Sequence, residues 1–86
     1  MNWSEVCSRY PSRFVLVEAL EAMSSNHMRT IEEMTVVEVY NIPLQAWEGY
    51  KRHHKENPER EFYVFHTSKR QIKVIEEYLR VRYSAD

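Results

Sequence analysis

The chain has one glycine, one cysteine and three prolines among its 86 residues, and its longest unbroken aliphatic or aromatic runs, Phe14 to Val17 and Phe62 to Phe65, are four residues long. A lone glycine, Gly49, leaves no glycine-rich loop to cradle a phosphate. A lone thiol, Cys7, excludes a disulfide framework and a thiolate metal cage, and it suits a reducing compartment. Runs of four apolar residues fall far short of the ~20 that cross a bilayer. The first residues carry neither the basic flank nor the apolar stretch of a secretory signal, so a cytoplasmic protein is expected. An excess of one charge is missing as well. Twelve basic and thirteen acidic side chains leave a formal charge of −1, unlike a protein whose main work is coating nucleic acid.

What is present is enough to fold. Leu, Ile, Val and Phe supply 20 of the 86 residues, and aromatics make up 13% of the chain, which lifts it out of the disordered range. The length fits a single compact domain over residues 1–86. Charge is unevenly spread: residues 1–50 carry a net −4 and residues 51–86 a net +3, so the two halves complement each other on one small surface.

Asn2 and Glu5 have capping-box spacing, and Trp3, Val6, Cys7 and Tyr10 follow at helical intervals, predicting a short helix that Pro11 stops. Cys7 falls on its apolar stripe and reads as a small buried hydrophobe, not a nucleophile. Arg13 to Val17 is a β-type run. Glu18 to Met23 has helical propensity but also alternates, and the polar cluster Ser24-Ser25-Asn26-His27 followed by the β-branched run Thr35 to Tyr40 favours a long strand and a hairpin. Met28 to Met34 reads equally as loop or as extension of the second strand.

Asn41-Ile42-Pro43 opens a second helix, which Asn57-Pro58 closes. Leu44, Trp47, Tyr50 and His54 trace its expected inner face. Gly49 within it costs about 1 kcal/mol relative to Ala, so a close packing contact is expected over it. Glu61 to Thr67 alternates with apolar residues on both faces and is expected in the middle of the sheet. Ser68 and Gln71 have capping-box spacing, and Ile72, Ile75 and Leu79 predict a last helix that frays near Ser84. The expected fold is α+β, a small three-stranded and at least partly antiparallel sheet packed by helices in the order α-β-β-α-β-α.

For chemistry the residues offer little. Adjacent His53 and His54 point about 100° apart on a helix and lack partners at zinc spacing, so no metal and no cofactor is expected. No serine sits in a nucleophile elbow, and the carboxylate pairs Glu32-Glu33 and Glu76-Glu77 diverge in space, so no enzyme is expected. The aromatic strand Arg60 to Phe65 lacks the glycines that an RNA-stacking strand of the RRM type places between its rings. One candidate anion or partner site remains: His66, Thr67, Ser68, Lys69 and Arg70, placed by the expected helix at an N-terminus with unpaired N–H groups.

At Trp3, Tyr10-Pro11, Phe14-Val15-Leu16-Val17-Glu18-Ala19 and Tyr63-Val64-Phe65-His66-Thr67-Ser68 the chain resembles a group of small bacterial proteins of uncharacterised function, each a compact α/β domain. The resemblance spans nearly the full length, with Phe14 where the group has Trp. It implies a fold and a bacterial cytoplasm but transfers no catalytic role.

The reading that follows is a non-enzymatic protein-interaction module, because Trp47, Tyr50, Tyr78 and Tyr83 exceed what so small a core can bury and could anchor a protein partner or a second copy. The alternative is a nucleic-acid-associated regulator with Lys51, Arg52, Lys55, Lys69, Arg70 and Lys73 on phosphates, which requires those six side chains to cluster. No membrane partner is expected.

Overall fold

The computed structural model describes residues 1–75. They form α1 (Trp3–Arg9), β1 (Phe14–Ser25), β2 (Met28–Tyr40), α2 (Pro43–Glu56), β3 (Phe62–His66) and β4 (Val74–Ile75). The strands make one antiparallel sheet in the order β3-β1-β2-β4.

The expected capping box opens α1: the Asn2 side chain accepts the Glu5 N–H at 2.9 Å and the Glu5 carboxylate accepts the Asn2 N–H at 2.9 Å. The long hairpin is set by its turn. Asn26 and His27 both adopt left-handed backbone, at φ 52° and 63°, between the paired residues Ser25 and Met28. Two consecutive positive φ angles in a two-residue loop match the right-handed twist of the strands they join. Residues 18–23 and 28–34 are therefore both strand. Cross-strand pairing and burial override the helical propensity of Glu18 to Met23.

Three register shifts interrupt the pairing of β1 with β2, at Leu16/Val17, Ala19/Glu21 and Glu21/Ala22. A one-residue shift turns a strand over. These shifts let Ala19 and Ala22, three residues apart, both pack on the same core, while Leu20 and Met23 stand exposed. They also coil the hairpin, so that Arg29 near its tip reaches Glu61 before β3, with Nε 2.5 Å from Oε2.

The sheet lies between two helices. On one face, Val15, Val17, Ile31 and Met34 meet Trp3 and Val6 of α1, and Trp3 contacts Phe65 edge-on at 5.6 Å. On the other, Leu16 and Phe62 lie beneath α2, whose His53 ring sits 5.8 Å from Phe62. Gly49 of α2 rides on the Tyr40 ring, and a Cβ there would overlap the Tyr40 hydroxyl, so the close contact expected over this glycine exists.

Three expectations are corrected. The sheet has four strands, not three. β3 is an edge strand paired only with β1 among the described residues, and of its five residues only Phe62 is buried, the other four being half-buried. The helix expected from Ser68 is not formed through residue 75: the chain runs as a strap that buries Ile72 in the α1-side core, then pairs Val74 with Arg29 and Ile75 with Met28 as β4. A capping box is worth about 1 kcal/mol. Burying Ile72 alone contributes ~1.5 to 3 kcal/mol, and strand pairing at the hairpin edge adds to it. The rest of that expected helix, with Leu79, Tyr78 and Tyr83, lies outside the described residues.

Candidate functional site

The inner face of α2 is not the one expected from its apolar residues. Ala46 and Gly49 are its buried positions, with His53 next on the same stripe, whereas Leu44 is 64% and Trp47 52% exposed. Gly49 decides this orientation, because only a face of small side chains lets the helix settle against Tyr40. Trp47, two residues away, is rotated about 200° from Gly49 and must lie elsewhere. The close approach over Gly49 and an inward Trp47 exclude one another, so the conflict was already legible in the sequence.

The displaced aromatics form a ladder along α2. Trp47 stacks on Tyr50 with ring centres 5.3 Å apart, and Tyr50 on His54 at 5.7 Å. The Lys51 ammonium lies 5.8 Å from the Trp47 ring centre, a cation–π distance. Below the ladder an open groove of about 570 Å³ runs between α2 and β3, floored by Phe62 and Val64 and closed at its far side by Val74. Sequence reasoning placed Trp47, Tyr50 and His54 on one face of the helix but missed Phe62, Val64 and Val74 as their neighbours. Only the tertiary fold joins them.

Two hydrogen-bonded carboxylates brace this side. Glu38 of β2 accepts from the Tyr40 hydroxyl and from Arg52 at 2.8 Å, with His53 Nε2 at 3.4 Å. The Tyr40 bond, joined by the charge of Arg52, holds the Glu38 carboxyl below the usual range; burial and the same contact push Tyr40 up. Glu61 accepts from Arg29 Nε and Nη2 at 2.5 and 2.9 Å and from the Tyr63 hydroxyl at 2.6 Å. The Arg29 bonds hold Glu61 low, while burial first and Glu61 second push Tyr63 well up. Glu61 takes donors on both oxygens and Glu38 takes its donors on Oε1, an arrangement that fixes elements in place.

The expected anion site is occupied by its own bonds. Thr67 is buried; its hydroxyl donates to the Tyr10 carbonyl at 2.7 Å and accepts the Arg13 N–H at 2.9 Å. His66 Nδ1 accepts the Ser68 N–H at 3.1 Å and lies 2.7 Å from the Ser68 hydroxyl. The Lys69 carbonyl accepts from Trp3 Nε1 at 2.8 Å and from the Cys7 thiol at 3.8 Å. With no helix starting at Ser68, the unpaired N–H groups on which an anion would sit are not formed there. The segment works as a clasp that ties the strap to α1. Cys7 is part of that clasp, and burial pushes its thiol up.

The six cations do not gather. Lys51, Arg52 and Lys55 stand on α2, with Arg52 paired to Glu38, whereas Arg70 and Lys73 flank a shallow depression beside Trp3, next to the clasp at Lys69. Tyr78 and Tyr83 lie outside the described residues. Among the described residues no three His, Cys, Asp or Glu side chains come together as a metal site, and no helix is long and apolar enough to cross a membrane.

The fold and groove define a small α+β protein whose four-stranded antiparallel sheet is held between two helices. Compared with protein-family models, with curated proteins and with solved structures, the chain matches none.

Proposed function

We propose that this protein is a non-enzymatic protein-interaction module of the cytoplasm, with the aromatic side of α2 as its docking surface. The observation that carries the reading is the exposure of Trp47 at a groove lined by Phe62 and Val64, with Ile42 and Leu44 also exposed at the start of the same helix. A helix that turns its largest apolar side chains outward leaves aromatic surface of the kind that anchors protein interfaces. The structural ties of Glu38 and Glu61 and the self-satisfied His66 turn support a binding role over a catalytic one. A lone cysteine supports a reducing compartment.

Nucleic acid is the weaker reading, because its cations are divided between α2 and the strap beside Trp3. Retention on immobilised RNA that falls steeply with salt would revive it.

A photo-crosslinking residue in place of Trp47, compared with one at exposed Ser8 on α1, tests the proposal in the native host. Discrete protein conjugates at position 47 alone are expected. Equal labelling at both positions would overturn it.

A further inference from the structure

The groove between α2 and β3 is walled in part by the end of the described chain itself. Val74 of β4 lines it together with Trp47, Tyr50, His54, Phe62 and Val64. Val74 is held in place, because it pairs with Arg29, whose guanidinium is bonded to Glu61 just before β3. Phe62 is buried, but Tyr50, Val64 and Val74 are half-buried and Trp47 is exposed, so the described residues leave an apolar surface open. From that wall the chain continues past Ile75, itself exposed, for the 11 residues 76–86, which carry Tyr78, Leu79, Val81 and Tyr83.

We propose that residues 76–86 seat weakly in this groove, apolar side chains against Trp47 and Val64, and compete there with the protein partner; the competition rests on the interaction-module reading, whereas the seat does not need it. Reach is sufficient. Four residues of extended chain span up to about 13 Å, which carries Leu79 from Ile75 to Trp47, since Val74 and Trp47 line the same groove. The tether favours this occupant over a free one: a segment joined to the groove wall by a few residues is present there at an effective concentration on the order of millimolar, far above that of a separate molecule. Charge agrees as well. Glu76 and Glu77 come first after Ile75, and the groove is lined by Arg60 and His54, with the Lys51 ammonium over the Trp47 ring. A weak seat costs the fold little when it is lost, and it yields to a partner that buries more of the same rings.

The test places a photo-crosslinking residue at position 47 of the purified full chain and maps the products by mass spectrometry across a dilution series. Links within one chain, from position 47 to residues 76–86, are expected at a yield that dilution leaves unchanged, with none to that segment from the same residue placed at exposed Ser8. Leu79→Asp combined with Val81→Asp is expected to cut that yield at least fivefold and to raise the yield of partner conjugates at position 47 in the native host. The map of the unsubstituted segment stands even where the doubly substituted chain fails to fold. An absence of links within the chain overturns the seat, and so do links whose yield the two substitutions leave unchanged, which report only a tether passing by. Links between chains that fade on dilution give the groove to a second copy and overturn it too. Partner conjugates without links within the chain refute the seat alone, whereas links within the chain and no conjugates with either segment remove the interaction reading and the competition with it.

Discussion

The two faces of the sheet are covered by helices of unequal length, and the shorter one seals its face better. α1 has seven residues and buries Trp3 and Val6 completely enough to join a core with Val15, Val17, Ile31, Met34 and Ile72. α2 has fourteen and buries only Ala46 and Gly49. The difference lies in side-chain volume and in lashing. Trp3 fills space that no alanine can, and the strap from Lys69 to Val74 holds α1 through the Trp3 Nε1 bond while Ile72 closes the gap beside it. α2 approaches closely over Gly49, and that closeness turns Leu44 and Trp47 away from the sheet. One face is closed by large side chains, and the helix on the other turns its largest apolar groups to solvent.

The sharpest way to break this contrast is to truncate each face. Met34→Ala empties a fully buried site on the α1 side and is expected to cost about 2 to 5 kcal/mol in chemical denaturation; a loss below 1 kcal/mol would mean that face is not the main core. Gly49→Ala tests the α2 approach. It gains up to ~1 kcal/mol of helix propensity, but the new methyl must displace a Tyr40 hydroxyl tied to Glu38, at a cost of about 1 to 3 kcal/mol. A net fall in Tm is expected, and a rise would show that α2 does not need its close seat.

Glu61→Gln probes the brace between hairpin and β3. Removing a charge that accepts from both Arg29 and Tyr63 is expected to cost about 1 to 2 kcal/mol at neutral pH. The sign with pH follows from the lowered carboxyls of Glu38 and Glu61. A group that ionises more readily folded than unfolded contributes its stability above the ordinary carboxylate value and loses it as pH falls through the folded one. Stability should therefore drop below about pH 4.5, and Glu61→Gln should shallow that drop; an unchanged acid limb would exclude Glu61 as a contributor. The smallest effect belongs to Trp47→Ala, within about 0.5 kcal/mol of wild type in thermal melts of dilute protein, because an exposed ring has little to lose. A larger loss would place Trp47 in the core and erase the distinction between the faces.

Much of this fold was legible along the chain. The Asn2/Glu5 box, the Pro11 stop, the turn at Asn26-His27, the Pro43 start and the alternation of Phe62 to His66 all act within a few residues, where local geometry dominates. The start of the last helix, through residue 75, was misread for the same reason. Ser68 and Gln71 send a correct local signal, and it loses to the burial of Ile72 and the pairing of Val74 with Arg29, partners more than forty residues distant. The expected anion site loses the helix N-terminus on which its donors depended. In the candidate groove, Trp47 and Tyr50 were visible as surplus aromatics, but Phe62, Val64 and Val74 were not visible as their neighbours.

The sequence by itself determined the α+β class, most element boundaries and the absence of a disulfide scaffold, because propensity, capping and turn chemistry are properties of neighbouring residues. The tertiary structure decided which face of α2 turns inward, that β3 lies at an edge, and that residues 68–75 form a strap and a strand. Each of those outcomes is a competition between a local preference worth about a kilocalorie and burial or pairing with residues far along the chain, and only the assembled sheet determines which side wins.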